Sequence, residues 1–97
     1  MKARRILVVD DEPEIRNSLS GVLEDEGYFA EAVESGEACL EVLRSGNGFE
    51  LVLLDVWLPG IDGIEVLARI QEIAPAERPV VVVISGHGSI ESAVKAT

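Results

Sequence analysis

Leu51-Val52-Leu53-Leu54-Asp55 decides the fold. Four apolar residues in a row, followed at once by a carboxylate and then by the loop Val56–Gly63, read as a strand buried on both faces that ends at a functional edge. Ile6–Val9 repeats the pattern and ends at Asp10-Asp11, and Val80–Ile84 repeats it again and ends at Ser85. Such runs suit a parallel sheet covered on both faces, provided that helices lie between them.

The intervening segments carry helical signals. Pro13 suits a first helical turn, Ile15, Leu19, Val22 and Leu23 recur at the spacing of an inward face, and Gly27 offers a left-handed stop. Tyr28–Val33 reads as a short edge strand, because Glu31 interrupts it. Ser35 is placed to cap a second helix whose inward face includes Ala38, Leu40, Val42 and Leu43, and Ser45–Gly48 breaks it. Asp62 and Glu65 have capping-box spacing and open a third helix with Ile64, Val66, Leu67 and Ile70 inward. Ser89 is placed to cap a fourth helix bearing Ile90, Ala93 and Val94, and the chain stops inside it. Strict alternation of strand and helix predicts an α/β fold with right-handed crossovers.

A chain of 97 residues makes one small domain. A net charge of −10 argues against gripping nucleic-acid phosphates and favours a basic or cationic partner. Cys39 is the only cysteine, so neither a disulfide nor a cysteine zinc site is expected, and it reads as a small buried residue on a helix. The basic start Met-Lys-Ala-Arg-Arg is followed by only Ile6–Val9 before two aspartates, too short for an export signal. No stretch approaches a membrane span. A cytoplasmic location is expected.

Asp10, Asp11 and Asp55 share an edge if their strands are neighbours, because ligands of open α/β sheets bind outside the carboxyl ends of the strands. At about 4 Å and an effective dielectric near 20, each carboxylate pair repels by roughly 4 kcal/mol. A retained proton or a divalent ion relieves this, and oxygen-only ligands favour Mg²⁺. Asp10 or Asp11 taken singly can be a helix cap and Ser85 a turn residue; His87 reads as an exposed loop residue rather than a ligand, and Trp57 as a residue at the pocket rim.

The motifs Ile6-Leu-Val-Val-Asp-Asp-Glu12, Leu53-Leu-Asp-Val-Trp-Leu-Pro-Gly-Ile-Asp-Gly63 and Val83-Ile-Ser-Gly-His-Gly88, in this order and spacing, resemble the receiver domain of two-component response regulators. The loop from Gly86 into Ser89-Ile-Glu-Ser-Ala-Val-Lys95 is most similar to the nitrogen-regulation subgroup of transcriptional activators. The resemblance implies a flavodoxin-like doubly wound sheet of order 2-1-3-4-5. Here the fifth strand and fifth helix would be absent, so that 1–97 is a C-terminally truncated receiver. It implies that Asp55 accepts a phosphoryl group from the phosphohistidine of a sensor histidine kinase. Asp11, Asp55 and the Trp57 backbone carbonyl would ligate Mg²⁺, with Asp10 acting through a water. Ser85 would donate its hydroxyl to a phosphoryl oxygen, helped by the Trp57 and Gly86 amides. Such a chain assists its own phosphorylation and dephosphorylation rather than being an enzyme, and switches conformation to control an output. In this subgroup the output lies in C-terminal ATPase and DNA-binding domains and is transcription. The family's fifth-strand lysine has no counterpart here, since Lys95 falls in the expected fourth helix. With order 2-1-3-4, Val80–Ile84 becomes an apolar edge, which predicts pairing with a second copy, exchange of elements, or cover by a rearranged fourth helix.

Three rivals remain open on the residues alone. A Mg²⁺-dependent phosphatase with an aspartyl nucleophile usually has a second Asp two residues on, where this chain has Trp57. A flavodoxin-like cofactor binder needs a phosphate loop, where this chain has Asp11-Glu-Pro. A receiver-like interaction module that is never phosphorylated does not need Asp10, Asp11, Asp55 and Ser85 together.

Overall fold

The computed structural model describes residues 4–46, 48–58, 60–73, 78–84 and 94–96. Strand β1 (Arg5–Val9) leads into helix α1 (Pro13–Asp25), β2 (Phe29–Val33), α2 (Gly36–Arg44), β3 (Leu51–Asp55), α3 (Gly63–Ile70) and β4 (Val80–Ile84), and a short β5 (Val94–Ala96) follows. The sheet order is β2-β1-β3-β4-β5. The first four strands are parallel, with Val9 opposite both Val33 and Leu54, and Asp55 opposite Ile84. The expected flavodoxin-like order is therefore present, with β2 at one edge.

Alternation along each strand divides the core. Leu7, Val9, Val52, Leu54, Val81 and Val83 pack in one cluster with Cys39 and Leu40 of α2, Val66 and Ile70 of α3, and Phe49 and Leu58. Ile6 and Val8 are buried on the opposite face, where α1 crosses β1 and β2. Helices thus lie on both faces, as right-handed crossovers require. The caps follow the sequence: Ser35 Oγ accepts the Ala38 amide at 3.1 Å, Asp62 Oδ1 accepts the Glu65 amide at 3.0 Å, and Gly27 takes φ +92° just past α1.

Two residues expected inside are outside. Val22 is 61% exposed, on the flank of the stripe formed by Ile15, Leu19 and Leu23. Ile64 is 62% exposed, because Gly63, Val66, Leu67 and Ile70 already occupy the inward i, i+3, i+4, i+7 positions of α3. The second strand begins at Phe29 rather than Tyr28, since the Tyr28 amide still donates to Leu23 O behind α1.

The far end of the chain also corrects an expectation. Val94–Ala96, read as part of a fourth helix with Lys95 on it, is instead a strand antiparallel to β4, pairing Val83 with Val94, Val82 with Lys95 and Val81 with Ala96. A row of unpaired N–H and C=O groups on an apolar strand recruits extended backbone, and here the chain supplies its own. Of the outcomes expected for the Val80–Ile84 edge, the one seen is cover by a rearranged part of the fourth-helix segment, as a strand, at Val81–Val83. The fifth position of the sheet is therefore occupied, by three residues in the reverse direction. The start of the expected fourth helix, Ser89, Ile90 and Ala93, lies outside the described residues.

At the opposite end of the sheet from Asp55, Arg5 is held between two rings. Its guanidinium carbon lies 4.3 Å from the Phe29 centroid and 5.0 Å from that of Phe49. Residues from the starts of β1 and β2 and from the approach to β3 are pinned together by this stack. Alongside it Arg4 pairs with Glu50 at 3.0 Å on the surface, a contact worth little by itself.

Candidate functional site

The parallel register places the ends of β1 and β3 side by side, so Asp10, Asp11 and Asp55 converge. Their carboxylate oxygens lie within 4.8 Å of one another. Asp10 is fully buried and Asp55 is 1% exposed, whereas Asp11 is exposed. Backbone bonds fix both strand ends: the Asp10 amide donates to Val33 O at 3.1 Å, and the Val56 amide donates to Ile84 O at 3.0 Å.

Each buried carboxylate is also oriented by the chain just beyond it. Asp10 Oδ1 accepts the Glu12 amide at 2.9 Å, and Asp55 Oδ1 accepts the Trp57 amide at 3.0 Å. Asp10 Oδ2 is buried and, among the described residues, has no hydrogen-bond partner. Burial raises the Asp10 pKa above its ordinary 3.8, the Glu12 amide opposes this, and the charges of Asp55, Asp11 and Glu12 add to the rise. A buried, partnerless carboxylate oxygen beside two further carboxylates is a site short of positive charge. Within the described residues this is the group of acidic side chains close enough to hold a metal ion.

Beside the triad opens a cleft of about 500 Å³ lined by Asp11, Val56, Trp57, Leu58, Asp62 and Ile64. Trp57, 63% exposed, stands at its rim as expected. Ser85, Gly86 and His87 lie outside the described residues.

Two contributors are not evident in the sequence. Gly63 reads there as a turn residue, but a Cβ built on it would fall 2.7 Å from Val56 Cα and 2.9 Å from Asp55 O. Its amide also donates to Val56 O at 3.3 Å, so the start of α3 presses directly on the backbone that follows Asp55. Gly63→Ala is expected to destabilise the domain by about 1–3 kcal/mol, because backbone and not a flexible side chain must yield; urea unfolding measures it. The second contributor is Arg16, whose Nη1 donates to the Asp10 carbonyl at 2.8 Å. Its sequence signal is a lone arginine on the inward stripe of α1 beside Leu19 and Leu23.

Comparison with known proteins agrees with this geometry. Residues 6–97 match the response regulator receiver domain. The chain is 46% identical over 96 residues to the nitrogen assimilation regulatory protein NtrX of Azorhizobium caulinodans, covering 97% of this chain and 20% of that protein. It thus spans about a fifth of the length of that relative. Among solved structures, the response regulator TrrA of Thermotoga maritima in complex with Mg²⁺-BeF superposes with a TM-score of 0.78 at 40% identity, over 88% of this chain and 71% of that one. TrrA in complex with the histidine kinase ThkA gives 0.78 at 39% identity, over 92% and 74%. Among the described residues no helix is long and apolar enough to cross a membrane. The strand order, the carboxylates gathered at the ends of β1 and β3 and these similarities together place the chain in the response regulator receiver domain family, a component of two-component signalling.

Proposed function

We propose that Asp55 accepts a phosphoryl group from the phosphohistidine of a sensor histidine kinase, in a Mg²⁺-dependent reaction, and that the phosphorylated domain controls an output in the longer protein. The observation that carries this reading is the convergence of Asp10, Asp11 and Asp55, with one buried oxygen lacking a partner. An all-oxygen donor set short of positive charge fits a hard divalent cation. Asp11, Asp55 and the Trp57 carbonyl would hold Mg²⁺, with Asp10 acting through a water. When bound, the ion would supply positive charge that lowers carboxylate repulsion and offsets the charge of the phosphoryl oxygens. TrrA, solved with Mg²⁺-BeF and with the kinase ThkA, supports both cofactor and partner.

The chain's own residues do the rest. The Trp57 amide holds the Asp55 carboxylate against rotation, so that one oxygen meets phosphorus in line with the leaving imidazole. An O–P bond forms, the N–P bond breaks, and the imidazole leaves with the electron pair and takes up a proton. The Ser85 hydroxyl and the Gly86 amide would donate to the phosphoryl oxygens, and the Trp57 amide would pass from Asp55 Oδ1 to one of them once the O–P bond has formed. The domain acts as a phosphoacceptor that assists its own phosphorylation and dephosphorylation. The longer relatives TcrA of Mycobacterium tuberculosis and GlrR of Escherichia coli are transcriptional regulatory proteins, which supports a transcriptional output; we assign that output to C-terminal ATPase and DNA-binding domains.

The test uses the full natural chain with phosphoramidate, with and without Mg²⁺. The expected result is one hydroxylamine-labile adduct, seen by intact mass only when Mg²⁺ is present. Metal-independent labelling would remove the cofactor from this reading. In parallel, Asp11→Ala is expected to lose most Mg²⁺ affinity, and equal titration of variant and wild type would show that the ion binds elsewhere.

A further inference from the structure

The acidic site has a cation beside it that its chemistry does not use. Arg16 lies one turn into α1, half-buried on the stripe that faces the sheet, and Nη1 donates to the backbone carbonyl of Asp10 at 2.8 Å. The target is a neutral carbonyl, whereas a cation next to three carboxylates would be expected to pair with one of them. That carbonyl belongs to the peptide joining Asp10 to Asp11. The same short segment is closed from the other side, since the Glu12 amide donates to Asp10 Oδ1 and the Arg16 amide donates to Glu12 O at 3.1 Å. Asp10 itself is fixed by burial and by β1, but Asp11 is exposed and no side-chain bond anchors it among the described residues. The peptide preceding it, which Arg16 holds, is one of the determinants of where its side chain starts out.

We propose that Arg16 is a positioning residue of the acidic site: its guanidinium locks the Asp10–Asp11 peptide and thereby aims the Asp11 carboxylate at Asp55. It acts through Asp11 and touches no reacting atom. The role is that of an outer partner that orients a ligand, and loss of such a partner typically weakens metal binding about 10–100-fold. The planar fork of arginine, held half-buried, gives a fixed donor direction that a lysine ammonium does not reproduce.

This inference rests on Mg²⁺ being held by Asp11 and Asp55, and one experiment separates the two. Mg²⁺ affinity is measured by titration calorimetry on the full natural chain, as wild type, Arg16→Lys and Arg16→Met, well below each thermal midpoint. Methionine keeps an apolar stem against the sheet but removes charge and donors. Simple electrostatics makes the opposite forecast to positioning, because deleting a positive charge near the site should tighten cation binding. The expected result is a dissociation constant raised about tenfold in Arg16→Met, with Arg16→Lys between the two. Arg16→Met binding Mg²⁺ as tightly as wild type, or more tightly, overturns the proposal, even where the variant is thermally less stable. Should Arg16→Met not fold, Arg16→Gln carries the same expectation, since its amide is too short to reach the carbonyl. Absence of Mg²⁺ binding by the wild type would instead overturn the metal reading itself.

Discussion

Asp55→Asn is expected to abolish phosphorylation: with phosphoramidate and Mg²⁺, intact-mass analysis should show no adduct above background. The side-chain amide is isosteric, and its oxygen can still accept the Trp57 amide that Asp55 Oδ1 accepts at 3.0 Å, so the loop after β3 keeps its anchor. What disappears is the nucleophile. A carboxylate is competent at neutral pH, whereas an amide oxygen attacks phosphorus poorly and forms no acyl phosphate. Among the described residues the carboxylates close enough to hold a metal ion are those of Asp10, Asp11 and Asp55, so an aspartate elsewhere would have no such ion beside it. An undiminished hydroxylamine-labile adduct in Asp55→Asn would sink the assignment.

Asp10→Asn should do the reverse to stability, strengthening the domain when no divalent ion is present. Asp10 is fully buried, Oδ2 has no hydrogen-bond partner among the described residues, and Asp55 and Asp11 add repulsion. Removing a buried charge that has a partner on Oδ1 but none on Oδ2 is worth about 1–3 kcal/mol. In a domain this small that corresponds to a rise in Tm of roughly 5–15 °C. The pH dependence has a definite sign. Burial raises the Asp10 pKa in the folded domain above its ordinary 3.8, so the folded state holds the proton more tightly than the unfolded chain does. The contribution of Asp10 to stability is therefore highest below 3.8, declines as pH rises toward the raised folded value, and stays at the lower level above it. Asp10→Asn should flatten that decline and also lose most of the stabilisation that Mg²⁺ gives the wild type by mass action. Calorimetric melts across pH, with and without Mg²⁺, check both. A variant that is less stable than wild type at neutral pH without divalent ions would show that Asp10 is better compensated than its surroundings indicate.

Much of this site is legible in the sequence because it depends on short-range signals. An apolar run that ends in Asp announces both a buried strand and a carboxylate at its end, and two such runs on neighbouring strands bring Asp10, Asp11 and Asp55 together. The caps at Ser35 and Asp62 are equally local. Ile64 and Val22 depart from their expected places for a different reason: both lie beside an apolar stripe in sequence, and only packing decides which flank of the stripe the sheet covers. Lys95 is a stronger case. Its segment has helical spacing, but the open edge of β4 outweighs propensity, as tertiary context often does. Arg16 and Gly63 leave little trace in the sequence because their partners are backbone atoms brought near by the fold, and residue patterns carry no record of backbone contacts of that kind.

The stack of Arg5 between Phe29 and Phe49 has a mechanical meaning. One end of the sheet is tied by attraction across three neighbouring segments, while the other end gathers like charges that push apart. The parallel ladder holds the register of the strands, and the stack adds a tie at the far end. A change of charge at Asp55 is therefore expected to fall first on the turns that leave the loaded end, where Trp57 and the first turn of α1 sit.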